Sequence, residues 1–250
     1  MPKAVEQSFT ALANAVPPSL DQFNQRAREQ RLVTGSGSAL RFVAPDDSPE
    51  GYEIRAYQRG EIITRPGNWH DAFNADVWLE WPQTKAALNR RHVDALHEQQ
   101  SAGDQARGRV RDRLTQFDEC GVVVVGMPAD LWQALCAHRW HEVFVTRRTE
   151  LLATTRFVIF GHASRDVLRA PHFGVCGKAL LLELAADSDA TSLDAALACR
   201  AASADFSSPL QPLPLLGIPG LNPANEDPAY YADTRQFRPA RTMPAVPIAM

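Results

Sequence analysis

The chain has 250 residues, 45% of them hydrophobic and 22% charged, and a formal net charge of −3. These proportions suit a globular protein that fills its core without disulfides or a structural metal. The slightly acidic balance gives no electrostatic ground for a nucleic-acid partner, and no stretch approaches the roughly 20 apolar residues of a membrane span.

In chain order, residues 1–18 read as a lead. Ser19 with Gln22 forms a capping-box pattern, and Leu20 and Phe23 supply the apolar face of a helix to about Arg31. A Gly/Ser turn follows at 34–38, a short strand at 40–43 and a polar loop at 45–51. Two alternating runs, 52–57 and 61–65, flank Gly60 and read as a β-hairpin. From Asn68, Trp69, Phe73, Val77 and Trp81 recur at four-residue steps. Pro82 must interrupt that helix, so two helices are expected, 69–81 and 82–98.

After a linker at 101–108, residues 109–117 and 121–125 read as a second hairpin around Asp118-Glu-Cys-Gly121. Alternating Arg107, Arg109, Arg111 and Arg113 suggest the outward face of its first strand. The continuous run Val122 to Val125 suggests a strand buried on both faces. Helices are expected at 129–138 and 140–153, a strand at 156–160, and a short helix from Gly161 to Leu168. A buried strand at 178–184 and a helix capped by Ser192 through Ala202 complete the body.

The segment from Pro209 is rich in proline but carries Leu213, Leu215, Leu216, Ile218, Tyr230, Tyr231 and Phe237. A disordered tail is poorer in large apolar residues. It is expected to wrap the body in extended form, with a loose end at 242–250. The fold class is therefore α/β (α+β): one domain at 19–241, a small mixed sheet with two hairpins, flanking helices and a wrapping C-terminal segment.

The four cysteines, Cys120, Cys136, Cys176 and Cys199, show no metal-type spacing. Cys136 and Cys199 read as small core hydrophobes, and Cys120 as a turn residue. Free thiols, with an N-terminus lacking a signal-peptide core, favour the cytoplasm.

Several polar groups stand out. Asn68 is a helix cap, and His70, Asp71 and Asn74 gather behind it at a helix start. Such a set can bind a metal or handle a proton. The plainer reading is a cap, a dipole-stabilising Asp and a surface His. Lys85, Asn89 and His92 share one helical face, which could equally be its wet side. His162 and Asp166 lie at i, i+4 after a buried strand, where metal ligands or a base with its orienting carboxylate could sit, or simply a His bonded to its own Asp on a solvated helix. Asp118 and Glu119 read first as turn-formers. No phosphate-binding loop, dinucleotide fingerprint, nucleophile elbow or H-E-x-x-H is present, which disfavours nucleotide-dependent transfer and α/β-hydrolase chemistry.

These residues also carry a resemblance. Asn68-Trp-His-Asp-Ala-Phe-Asn-Ala75, Trp81-Pro82 with Thr84-Lys85-Ala-Ala-Leu-Asn89 and His92, Thr115 with Phe117-Asp-Glu and Gly121-Val-Val, Phe160-Gly-His-Ala163, Gly177-Lys178, Pro212-Leu-Pro with Gly217-Ile-Pro-Gly220, and Phe237-Arg-Pro239 resemble a bacterial family known only as a domain of unknown function. The likeness runs over roughly residues 20–240. It implies that the polar groups belong to a family pattern, and it carries no activity. Relatives often have Glu where this chain has Asp166, a carboxylate one methylene shorter.

The functional expectation is a hydrolytic enzyme with His70, Asp71, His162 and Asp166 as its central groups. Asn68, Asn74, Lys85, Asn89, His92, Asp118 and Glu119 would line the pocket for a small-molecule substrate or ligand. A divalent metal on His70, His162 and Asp166 could activate water, or a His–Asp pair could act without one. The rival is a non-catalytic binding or scaffolding protein. A ββα-metal nuclease is disfavoured, because its base His precedes the second hairpin strand and this chain has no His before His70.

Overall fold

The computed structural model describes residues 15–102, 108–203, 206 and 210–240. Most of the expected lead, Arg107 and the expected loose end at 242–250 lie outside them. The described chain forms nine α-helices and two small sheets in a mixed α/β arrangement.

Helix α1 spans Leu20–Glu29, and Ser19 closes the expected capping box with Gln22. Strand β1, Arg41–Val43, is followed by α2, Tyr52–Arg59, and β2, Glu61–Ile63. The first expected hairpin is absent: its first run is helix α2, and β2 pairs parallel with β1. An eight-residue segment with apolar groups at 52, 54 and 56 fits a two-residue period. The helical alternative places Arg55 and Ala56 inside, and Arg55 forms ion pairs with Asp46 and Glu61 there. Gly60 ends the helix at φ 69°, and a Cβ there would strike the Ala39 carbonyl.

The next two helices fall where expected: α3 at Trp69–Glu80 and α4 at Pro82–Ala102. The start of α4 is capped from a distance. Asp194 accepts hydrogen bonds from the backbone N–H of Gln83 and Thr84 and from the Thr84 hydroxyl. Helix α5, Arg109–Cys120, replaces the first strand of the second expected hairpin. The arginine alternation is misleading there, because Leu114 and Phe117 lie i, i+3 apart and are fully buried. Arg109, Arg111 and Arg113 therefore belong to a helix, and Asp118 and Glu119 to its last turn.

Strand β3, Gly121–Val125, is buried along its whole length. Helix α6, Ala129–Cys136, a π-helical turn at Glu142–Thr146 and α7, Arg148–Thr154, lead to β4, Arg156–Ile159. Helix α8 is His162–Val167, β5 is Cys176–Leu182 and α9 is Ala190–Ala202, capped by Asp189 and not by Ser192. The C-terminal segment adds edge strand β6, Gln211–Pro214, and short 3-10 turns. An edge strand tolerates Pro212 and Pro214. The main sheet runs β4-β3-β5-β6: β3 is antiparallel to β4 and parallel to β5, and β6 is antiparallel to β5.

Alternation along β3 fills both faces of that sheet. Val122 and Val124 meet Trp140, Phe144, Leu213 and Phe237 on one side. Val123 and Val125 join Phe117, Phe160, Leu193 and Leu197 on the other. A third cluster holds Phe23, Phe42, Ile62 and Trp78 between α1, the small sheet and α3. The C-terminal segment is thus core, as its apolar residues lead one to expect. All four cysteines are free, but Cys199 is exposed and Cys136 half-buried, so neither is the core residue expected. Among the described residues, no helix is long and apolar enough to cross a membrane.

Candidate functional site

The site lies beside the junction of α5 with β3 and of β4 with α8. Because β3 and β4 are antiparallel, with Val122 opposite Ile159, the chain leaving β4 rises beside the chain entering β3. Glu119 is three residues before Val122, and His162 is three after Ile159. Gly161 lets the two backbones touch: its N–H donates to the Gly121 carbonyl at 2.8 Å, and a Cβ there would collide with the Glu119 carbonyl. His162 is thereby set beside the end of α5. Arg165 anchors α8 from within, donating to the Ile159 carbonyl and to Glu80 of α3.

Helix α3 packs along α8 and brings in His70. The His70 and His162 rings meet edge-on, 4.6 Å between centroids. Glu119 Oε2 stands 3.5 Å from His162 Nε2 and 3.9 Å from His70 Nε2. One ligand atom from each of these three residues lies within 4.8 Å of the other two. On the opposite edge of the imidazole, His162 Nδ1 is buried without a hydrogen bond of ordinary geometry and is 3.8 Å from Asp118 Oδ2. Burial holds His162 down, to about 4, so its ring is neutral near pH 7.

Behind this trio runs a buried polar chain. Lys85 Nζ donates to Asp118 Oδ1 at 2.5 Å and to Asn74 Oδ1 at 2.9 Å. Asn74 donates in turn to the Tyr52 hydroxyl at 2.9 Å. Burial alone would raise Asp118, but the Lys85 ammonium, with His162, holds it below the usual carboxylate range. Burial pushes Glu119 and Tyr52 up. Farther along, Asn89 donates to Glu53 Oε2 at 2.7 Å, and His92 Nε2 stands 3.8 Å from Glu53 Oε1. Burial pushes Glu53 up to about 7, against the hydrogen bond from Asn89.

These groups share a cleft of about 360 Å³ that Tyr52, Glu53, Arg65, His70, Asn74, His92, Asp118, Glu119 and His162 help to line. The three polar sets, around His70, His92 and His162, therefore meet in one place. Lys85 and Asn89 stand behind its wall. Asp71 lines the cleft too, but its carboxylate is engaged by Arg65 through two side-chain bonds and one backbone bond. Asn68 caps α3 by accepting from the Asp71 N–H. Asp166 stands apart: it pairs with Arg169 at 3.0 Å, and Glu119 takes the place expected for it beside the two histidines. Asp166 is engaged by Arg169 on its own segment, whereas the last turn of α5 brings Glu119 to the imidazole.

Tyr52 and Glu53 are not legible as site residues in the sequence, because their segment also satisfies the two-residue period of a strand. The signal that could have revealed them is the Gly60 stop behind an eight-residue run, a helix C-cap as well as a hairpin turn.

Compared with known proteins, the family model described as "Protein of unknown function (DUF3025)" matches residues 40–241. No curated protein and no solved structure matches the chain.

Proposed function

The chain belongs to the DUF3025 family, a membership that brings no activity with it, and from the geometry of the cleft we propose that it is a metal-assisted hydrolase acting on a small molecule. The observation that carries this reading is the convergence of His70, His162 and Glu119, drawn from three different helices.

The donor set fits a divalent transition metal. Two imidazoles and a carboxylate are a common three-ligand set that leaves a position open for water. Ligands bound at ~2.0–2.1 Å in tetrahedral geometry stand about 3.3–3.4 Å apart. The observed 3.5 and 3.9 Å separations from Glu119 are close to that, and the ligand atoms of the two histidines lie within 4.8 Å of each other. Asp118 faces the far nitrogen of His162, where a carboxylate fixes tautomer and ring orientation. Lys85, itself held by Asn74 Oδ1, holds Asp118 in turn.

A bound divalent ion would supply Lewis-acid activation of water. Glu53, at about 7, has the affinity to take up and release a proton near neutral pH. Asn89 orients one of its oxygens. The Arg65 guanidinium at the cleft wall, anchored by Asp71, offers a donor for a substrate oxygen. The four free thiols accord with a reducing compartment, and we assign the protein to the cytoplasm on that ground. A nucleic-acid partner is not expected at this net charge.

The test is a calorimetric titration of chelator-treated protein with Zn²⁺ and Mn²⁺, with metal analysis of the protein as purified. One ion per chain should bind. His70→Ala, at a half-exposed position that spares the core, and Glu119→Gln should abolish binding, while Asp166→Asn should not. Ester, amide and phosphoester substrates should then be cleaved only with metal restored. Absence of saturable binding, or binding that survives both variants, overturns the reading.

A further inference from the structure

A second cavity, of about 500 Å³, opens near the edge of the main sheet, lined in part by His138, Cys176, Lys178, Gln236 and Arg238. None of the residues lining it is acidic, although the chain as a whole is slightly negative. Lys178 projects from β5 and has no acidic partner among the described residues. Arg238 likewise has none among the described residues, where its only side-chain hydrogen bond is from Nε to the Arg235 carbonyl. Two cations on one cavity wall, with no carboxylate among its described lining residues, favour an anion between them. Arg235, also in the wall, is already neutralised by Asp233 at 2.6 Å.

The wall is built to hold these groups in place. The Trp140 indole donates to the Arg238 carbonyl at 2.7 Å, and His138 Nδ1 lies 3.2 Å from the same oxygen. The two rings stack at 4.8 Å. His138 takes a left-handed backbone, φ 55°, to reach that position. Gln236 is 6% exposed, donates to the Tyr230 hydroxyl at 2.7 Å, and leaves its amide oxygen buried with no partner. An orphaned buried acceptor is costly, so a group bearing a donor is wanted beside it.

We propose that this cavity is a binding site for a small phosphate-bearing ligand, separate from the His70–His162–Glu119 cleft. Two cations without an acidic partner among the described residues match the double charge of a phosphate group, and an Arg fork with a Lys point charge is the pairing that phosphate recognition uses. A hydroxyl on the carrier of a phosphate dianion, or the P–OH of inorganic HPO₄²⁻, supplies the donor that the Gln236 amide oxygen lacks. A carboxylate carries one charge and no donor, and fits less well.

Cys176 lies in the same wall and is exposed, while Cys199, also exposed, is not among the residues lining it. The two thiols provide an internal probe and its control. Inorganic phosphate is titrated into the full chain by calorimetry with chelator present, and iodoacetamide labelling of each cysteine is followed by mass spectrometry. Phosphate should bind more tightly than acetate and slow labelling of Cys176 severalfold without changing Cys199. Lys178→Ala and Arg238→Ala should each weaken phosphate about tenfold, and His70→Ala should leave it unchanged. Phosphate binding that is insensitive to Lys178 and Arg238, or Cys176 labelling indifferent to phosphate, overturns the assignment. Loss of phosphate binding in His70→Ala also overturns it, by moving the anion to the other cleft. The metal reading stands or falls separately, because chelator is present throughout.

Discussion

Glu119 and His162 stand at mirror positions about one antiparallel strand pair, each three residues beyond the matched pair Val122–Ile159, and their side chains meet at 3.5 Å. The contact follows from register. A slip of one residue between β3 and β4 would send both side chains elsewhere.

That dependence makes Gly161 a sensitive position. A Cβ there would overlap the Glu119 carbonyl and the Gly121 N–H, which are backbone groups that cannot rotate away. Gly161→Ala should push α8 from the end of α5. The expected result is a loss of roughly 2 kcal/mol or more in urea melts, typical of overpacking, together with loss of the Zn²⁺ titration. Unchanged metal affinity would separate the glycine contact from the site.

Asp118 has two roles that a double variant can divide. Asp118→Asn leaves the almost fully buried Lys85 without its carboxylate, which should cost about 3 kcal/mol. It also removes the carboxylate facing His162 Nδ1, which should weaken metal about 10–100-fold. Adding Lys85→Met should recover much of the stability and none of the affinity. Calorimetry and urea melts on the same samples distinguish the two.

Glu53 and His162 bend the pH dependence of the metal-free protein in opposite senses. Glu53 rises to about 7 from an ordinary 4.5, so the folded state holds a proton the unfolded state has released. Its contribution is full below pH 4.5 and is lost as pH climbs to 7. His162 falls to about 4 from 6.5, so its contribution is full above 6.5 and is lost as pH drops to 4. Glu53→Gln removes only the first effect. Its stability should match the parent at pH 4 and exceed it at pH 8, by on the order of 1–3 kcal/mol at one pKa unit per ~1.4 kcal/mol. Parallel curves for parent and variant would contradict the buried-carboxyl account.

The C-terminal segment should be indispensable to folding. Phe237 is nearly fully buried against Tyr230, Tyr231 and Gly217. Phe237→Ala should cost about 3–5 kcal/mol, read as a fall in melting temperature. Removing residues 209–250 strips β6 and should yield aggregated protein. A soluble truncation with an unchanged melting temperature would refute the wrapping role.

Much of this was legible from local pattern. Ser19 with Gln22 marked a helix start, Pro82 marked the break between α3 and α4, and the valines of β3 marked a strand covered on both sides. Those signals are short-range and chemically strong. Pattern failed where two periods coincide. Tyr52–Arg59 and Arg109–Cys120 both satisfy an alternating reading, and only burial of Arg55 and Ala56, or of Leu114 and Phe117, selects the helix. Tertiary packing decides such cases, because a short amphipathic segment takes whichever form covers its apolar side.

The same division holds at the site. From the sequence alone come the candidate polar residues, Asn68, His70, Asp71, Asn74, Lys85, Asn89, His92, Asp118, Glu119, His162 and Asp166, and their grouping into separate polar sets. The tertiary structure alone decided that these sets share one cleft, that Glu119 and not Asp166 completes the pair of histidines, and that Tyr52 and Glu53 join them. The physical reason is that sequence spacing governs neighbours on one helix, whereas a site assembled from α2, α3, α4, α5 and α8 depends on strand register and helix packing. Those are properties of the whole core, and no single segment encodes them.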